Sequence, residues 1–140
     1  LSEPSTNDID IHILYMRGRG ALGKHGEDDV CQFLIERGHT ILDRNWRSGH
    51  LEIDIVTLAP DGIHFVEVKS RVAPVQGEPQ DAVTAAKQQH IASAARRYLS
   101  KKSPVLGNDL EVLFDVAAVT YDGDNVEINY FPSAFVPIYY

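Results

Sequence analysis

Two carboxylates and a lysine carry the strongest chemical signal in the chain. Asp54, Glu67 and Lys69 lie in the stretch from Leu51 to Arg71, with Glu52 beside them. Residues 51–58 and 63–69 are rich in the apolar, branched and aromatic types that suit β-strands. Between them, Ala59-Pro60-Asp61-Gly62 is a turn, in which Pro presets the backbone and Gly relaxes it. Side chains alternate faces along a strand. Glu52 and Asp54 therefore share one face of the first strand, and Phe65, Glu67 and Lys69 share one face of the second. A turn centred between Pro60 and Asp61 sets Leu58 against Ile63, Asp54 against Glu67 and Glu52 against Lys69. Directly opposed Cβ atoms lie about 4.5–5.5 Å apart. Two carboxylates at that separation repel unless a cation lies between them, and hard divalent ions take carboxylate oxygens. Lys69 beside the pair supplies fixed positive charge. The alternative is a solvated hairpin face with a Glu52–Lys69 cross-strand pair, and a one-residue slip in register would dissolve the arrangement.

The elements that must position these groups follow from the pattern on either side. A first helix is expected from about Leu22 to Arg37, with Val30, Phe33 and Leu34 as its apolar stripe and Gly38 as its stop. Glu27 falls near its start, where an exposed acid favours the helix dipole. His39 to Arg47 is a strand and Ser48-Gly49 a turn, with Trp46 as a core or edge anchor. Val72 to Pro79 is a loop. A second helix is expected from about Asp81 to Lys101, ended by Pro104 and Gly107, its alanines suited to close packing on a sheet. Lys87, Gln88 and Arg96 on that helix could reach a substrate or lie in solvent. Leu110 to Tyr121 and Val126 to Phe131 are the last strands, joined at Asp122-Gly-Asp-Asn. Residues 1–20 read as an N-terminal extension, expected to be flexible, with strand character from Ile9 to Tyr15 but no evident partner. Residues 21–140 read as one domain. Met16 is the only methionine, and a biological start there is one expectation for the extension.

Composition narrows the class. The 140 residues are enough for one core. A single cysteine, Cys31, excludes an internal disulfide and suits a cytoplasmic location. No apolar run is long enough for a membrane helix, and one Cys with scattered His gives no zinc-ligand spacing. The net charge of −7 argues against avid nonspecific binding to nucleic acid. Its distribution tells against that total. Ala82 to Asn108 holds Lys87, Arg96, Arg97, Lys101 and Lys102 and no acid, whereas the acids Asp109 to Glu127 follow without a Lys or Arg.

In this order the residues resemble the YraN-like family of small bacterial proteins. The fragments that carry the resemblance are Gly23-Lys-His-Gly-Glu27, Arg44-Asn-Trp-Arg47, Glu52-Ile-Asp54, Phe65-Val-Glu-Val-Lys-Ser-Arg71, Lys87-Gln88, Ala95-Arg-Arg-Tyr-Leu99 and Phe114-Asp-Val116. They span about residues 22–136. The family is similar to the PD-(D/E)XK nuclease superfamily, and in pattern to archaeal Holliday-junction resolvases. The resemblance implies an α/β, restriction endonuclease-like fold. Its central mixed β-sheet of about five strands would be flanked by two main helices, in the order α-β-β-β-α-β-β. It implies Mg²⁺ or Mn²⁺ at Asp54 and Glu67, with help from the Val68 carbonyl and with Glu27 as a further metal or water ligand. Lys69 would orient or activate the attacking water, and Gln88 and Glu52 would support the site. Arg71, Lys87 and Arg96 would contact DNA phosphates. The implied reaction is metal-dependent hydrolysis of DNA phosphodiester bonds, on branched or damaged DNA in repair or recombination. A homodimer is expected because cutting two strands needs two sites. Nucleic-acid binding without cleavage, or a protein-interaction role, are the alternatives. Where the family usually carries Gly ahead of Glu-Ile-Asp, this chain has Leu51.

Overall fold

The computed structural model describes residues 11–16, 24–74, 83–107 and 109–136. Its strands are β1 (Ile11–Met16), β2 (Thr40–Ser48), β3 (Leu51–Ala59), β4 (Gly62–Val72), β5 (Val112–Asp122) and β6 (Asn125–Phe131), and its helices are α1 (Lys24–Glu36) and α2 (Ala85–Leu106). The strands form one sheet in the order β1-β6-β5-β4-β3-β2. Among the described residues only β4 and β5 pair in parallel, and the other pairs are antiparallel. Parallel neighbours need a crossover, and α2 supplies it.

Two apolar clusters show why the sheet carries a helix on each face. Val30, Cys31, Phe33 and Leu34 of α1 pack with Ile55, Val66, Ala117, Val119 and Ile128. Ile91, Ala94, Ala95 and Tyr98 of α2 pack with Ile53, Val56, Phe65 and Val116. Central strands covered on both sides read as continuous apolar runs. In β4, residues from Gly62 to Glu67 are all buried. Trp46 is the expected anchor, its ring set edge-on to Tyr98 at 5.3 Å between centroids.

The expected α/β sheet with two flanking helices is what the chain forms, in the expected element order. A sixth strand joins it. The segment with strand character but no evident partner contains β1, and β6 is its partner, with Ile11 opposite Tyr130 and Met16 opposite Asn125. Residues 1–10 and 17–20, the rest of the expected flexible extension, lie outside the described residues, as do residues 75–82 of the expected loop and helix start. The hairpin register holds from Ala59↔Gly62 to Ile55↔Val66. Gly62 is required at that turn: a Cβ there would lie 2.4 Å from the Glu111 carbonyl oxygen.

Helix α2 corrects the sequence expectation at its far end. Pro104 lies inside the helix, which ends at Gly107 (φ 81°). Proline has no N–H to give the carbonyl four residues back. Here the Ser103 hydroxyl donates to that carbonyl, Ser100 O, at 3.3 Å, and the last turn survives. At the near end the Thr84 hydroxyl accepts from the Lys87 N–H at 3.2 Å, an N-cap that starts the helix at Ala85.

A buried polar knot ties the β3–β4 turn to the far strands. Asp115 is wholly buried. It accepts from the Ser133 N–H at 2.8 Å and from the Tyr130 hydroxyl, and its other partner is His64 Nδ1 at 2.5 Å. His64 Nε2 meets Asp61 Oδ1 at 2.7 Å. A carboxylate oxygen beside each ring nitrogen favours the doubly protonated ring.

Candidate active site

Strands β3 and β4 part company at the carboxylates. Both run on, but their ladder stops at Ile55↔Val66. Beyond it β3 stays with β2 to Ser48↔Leu51, and β4 stays with β5 to Val72↔Tyr121. The alternation of β3 slips at the same point. Ile53 and Val56 both pack under α2, whereas Ile55 between them packs under α1. On β2, Asn45 takes a left-handed backbone (φ 50°), a conformation that Asn tolerates better than most residues.

Asp54 lies at the parting. Its Oδ2 accepts from the Val68 N–H at 2.9 Å, a side-chain bond where a ladder bond would otherwise form. Val68 thus meets Asp54 through its amide. Glu67 is buried, with Lys87 Nζ 3.4 Å and Lys69 Nζ 4.0 Å from its Oε1. Burial first, and the Asp54 charge second, push the Glu67 carboxyl up to about 7 from an ordinary 4.5. Asp54 is also raised, by burial first; the Val68 N–H pulls it back, and the Glu52 charge adds to the rise. A hydrogen bond with Glu67 further favours the Asp54 carboxylate. Two carboxyls so placed hold one proton between them more readily than two charges.

The remaining predicted residues divide. Glu27 comes from the first turn of α1, where Asn45 Nδ2 donates to its Oε1 at 2.9 Å and Arg44 lies 4.0 Å away. Burial raises its pKa, Asn45 opposes, and Asp54 contributes through its charge. It therefore feels the site without joining it. Among the described residues no three Asp, Glu, His or Cys side chains are grouped closely enough to hold a metal ion. Glu52 does not pair with Lys69. It is exposed and lies 3.5 Å from Arg47, because β2 remains its ladder partner after β4 has left. Gln88 Nε2 donates to the Val83 carbonyl at 3.1 Å. Arg71 lies two residues beyond Lys69 on β4, half-buried, and Arg96 is exposed further along α2. Lys87, placed by sequence among phosphate contacts, is instead the nearest cation to Glu67. The Thr84 cap motif is the signal that sets its position in the first turn. The knot around His64 and Asp115 had no signal in the sequence.

Asp54 and Glu67 fit a divalent ion by their donor chemistry. Mg²⁺ is commonly held by one or two carboxylates, with waters and substrate phosphate filling the rest. One buried and one half-buried carboxyl with raised pKa values are short of positive charge, and that is what such an ion brings.

Residues 26–119 match a family described as "Uncharacterised protein family UPF0102". The chain belongs to that family. A UPF0102 protein of Syntrophotalea carbinolica is 44% identical over 117 residues, covering 84% of this chain and 93% of the relative. One from Nitratidesulfovibrio vulgaris is 39% identical over 117 residues, covering 84% of this chain and 85% of the relative. UPF0102 is the YraN family, so the resemblance read from the residue pattern holds. Among solved structures, a repair endonuclease from Pyrococcus abyssi aligns with 74% of this chain and 39% of its own, at 14% identity and a TM-score of 0.32. A likeness that slight carries no weight for the site. Among the described residues, no helix is long and apolar enough to cross a membrane.

Proposed function

We propose that this UPF0102 protein is a metal-dependent nuclease that hydrolyses DNA phosphodiester bonds, with Asp54, Glu67 and Lys69 at its centre. The observation that carries the reading is the pairing of half-buried Asp54 with buried Glu67 where β3 and β4 separate. Asp54 and Glu67 would hold Mg²⁺ or Mn²⁺. Bound there, the ion supplies Lewis-acid stabilisation of charge on the phosphate and lowers the pKa of a water. The chain's own groups do the rest. Lys69, 4.0 Å from Glu67, sets an ammonium beside the pair to meet negative charge as it grows on a phosphoryl oxygen. Lys87 does the same from α2. The Val68 N–H holds the Asp54 carboxylate in one orientation. Glu27, fixed by Asn45, keeps the α1 side negative and favours a cation. The substrate class is branched or damaged DNA, as the family resemblance implies, and two copies would serve a two-strand cut.

The test is cleavage of labelled duplex, flap and four-way DNA in Mg²⁺ or Mn²⁺. Activity is expected in the wild type and absent in Asp54→Asn and Lys69→Ala; equal activity in all three would mean a contaminant and sink the proposal. One observation favours a second reading, binding without cleavage. Lys87 already gives Glu67 a cation, and among the described residues no third carboxylate joins the pair. That reading expects salt-sensitive DNA binding and no turnover with any divalent ion.

A further inference from the structure

We propose that Asn45 is a positioning residue of the cleavage centre: its left-handed backbone frees Asp54 from β2, and its side-chain amide sets Glu27 beside the freed carboxylate. The inference rests on the nuclease reading and adds how β2 and α1 shape that site. Asn45 lies within Arg44-Asn-Trp-Arg47, and the other three residues anchor β2. Arg44 Nη2 lies 2.6 Å from Asp28 Oδ1, the Trp46 ring is edge-on to Tyr98, and Arg47 lies 3.5 Å from Glu52. Asn45 differs from them. On both sides of it β2 keeps one register with β3, Arg44↔Ile55 and Trp46↔Ile53, which sets Asn45 opposite Asp54. That pair is missing from the ladder. Asp54 has no partner on β4 either, because that ladder stops at Ile55↔Val66. Among the described residues of β3, Asp54 alone pairs with neither neighbouring strand.

The φ of 50° at Asn45 accounts for the gap. A left-handed residue inside an extended strand disrupts the ladder locally, as in a bulge. Anchored at Arg44 and Trp46, β2 cannot slide to close it. Released on both sides, Asp54 turns its Oδ2 onto the Val68 N–H at 2.9 Å. Asparagine suits this position because it takes the left-handed conformation more readily than most side-chain residues. Glycine takes it too, but has no amide. Here the amide has its own task. Asn45 Nδ2 donates to Glu27 Oε1 at 2.9 Å, and Arg44 lies 4.0 Å from the same oxygen. Both contacts fall on Oε1 and leave Oε2 to a cation or its water. Burial is the first influence raising the Glu27 pKa, the Asn45 bond opposes it, and the Asp54 charge adds to it, so the three groups share one electrostatic field.

Two substitutions in the full chain separate the two roles. Asn45→Gly keeps the left-handed backbone and loses the amide, whereas Asn45→Ala loses both. Exchange of the Val68 N–H, read by NMR without metal, reports the backbone. It is expected to be unchanged in Asn45→Gly and about tenfold faster in Asn45→Ala, as the bond to Asp54 loosens. Equal exchange in the two variants overturns the proposal. Should the alanine variant not fold, Asn45→Asp is read instead. Aspartate also tolerates the left-handed backbone and cannot donate, so Val68 protection is expected to hold, and its loss overturns the proposal. Calorimetric titration with Mn²⁺ reports the amide. Asn45→Gly is expected to bind about tenfold more weakly, the usual cost of removing a group that orients a metal ligand. In a Glu27→Ala background the same change should cost nothing further. Unchanged affinity overturns the proposal, and so does an equal loss in the Glu27→Ala background, since the amide would then act elsewhere. The expected Val68 and Mn²⁺ results in a chain that cuts no DNA leave Asn45 its role and remove the nuclease reading. Equal exchange or intact Mn²⁺ affinity in a chain that does cut removes that role and leaves the nuclease reading. Wild-type chain that binds no Mn²⁺ removes both.

Discussion

Asp54→Asn isolates the conflict at the centre of the site. The change keeps the shape and the acceptor that the Val68 N–H uses, and removes one charge. The Glu67 carboxyl is raised from 4.5 to about 7. That difference is worth about 3 kcal/mol at 1.36 kcal/mol per unit. Burial is the larger cause and remains in the variant; the Asp54 charge is the next. Removing it should return on the order of 1 kcal/mol, or about 3 °C in a domain of this size. The sign follows from linkage. The folded pKa of Glu67 lies above its unfolded value, so its contribution is full below about 4.5 and is lost as pH rises through about 7. Wild-type stability should therefore fall across that window, and Asp54→Asn should flatten the fall. Urea unfolding in EDTA is expected to find the variant more stable than wild type at pH 8 and nearly equal at pH 5. Mn²⁺ should raise the melting temperature of the wild type and leave Asp54→Asn unmoved, since a ligand stabilises only the state that binds it. A variant that loses as much stability at pH 8 as at pH 5 would refute the reasoning, because the bond to Val68 would then outweigh any repulsion.

Three further outcomes test the frame around the site. Gly62→Ala should cost more than 2 kcal/mol in urea unfolding, since its Cβ would meet the Glu111 carbonyl at 2.4 Å and φ is 143°. Gly26→Ala should destabilise because its Cβ would lie 2.1 Å from Ser70 Oγ; Ser70→Ala should restore most of the loss, so additive effects in a double-mutant cycle would refute the contact. His64 gives a pH signature at the far end of the hairpin. Burial lowers its pKa, but the hydrogen bonds and charges of Asp115 and Asp61 outweigh burial and leave it raised. Its contribution is present below about 6.5 and lost as pH climbs through the raised value. A thermal-melt series should lose stability above neutral pH in the wild type and show a weaker dependence there in His64→Gln.

The hairpin register was legible because a short turn sets it locally. Pro60 and Gly62 allow one geometry, and every pair from Ala59↔Gly62 to Ile55↔Val66 follows. The parting of the strands was not legible, because it depends on a third strand. The sequence places Glu52 opposite Lys69 only if β3 and β4 stay together. In the fold β2 retains β3, and Arg47 becomes the partner of Glu52. Lys87 shows a second limit. With the helix begun at Asp81 its direction is undetermined; with Thr84 as the cap it falls in the first turn and meets Glu67. Pro104 ended the helix by rule and continues it in fact, since Ser103 supplies the missing donor. The Asp115–His64 bond joins residues 51 apart, a separation no local pattern reports.

The carboxylate pair works against the stability of the strand that carries it. Glu67 is on β4, which is paired with β5 from Ile63 to Val72 and is buried from Gly62 to Glu67. A strand so enclosed cannot shift to bring a charged side chain to water. Relief has to come from neighbours that can move, and three do. β3 gives up its ladder beyond Ile55, Asp54 turns onto the Val68 N–H, and Lys87 reaches across from α2. A chance acidic face on a solvated hairpin would need none of these, since water and salt screen exposed charges. Even so, Glu67 remains raised to about 7, so the lysines and the amide leave the pair short of positive charge. Folds keep such residual conflict where function draws on it, and a divalent cation is the group whose charge and preferred oxygen donors would remove it.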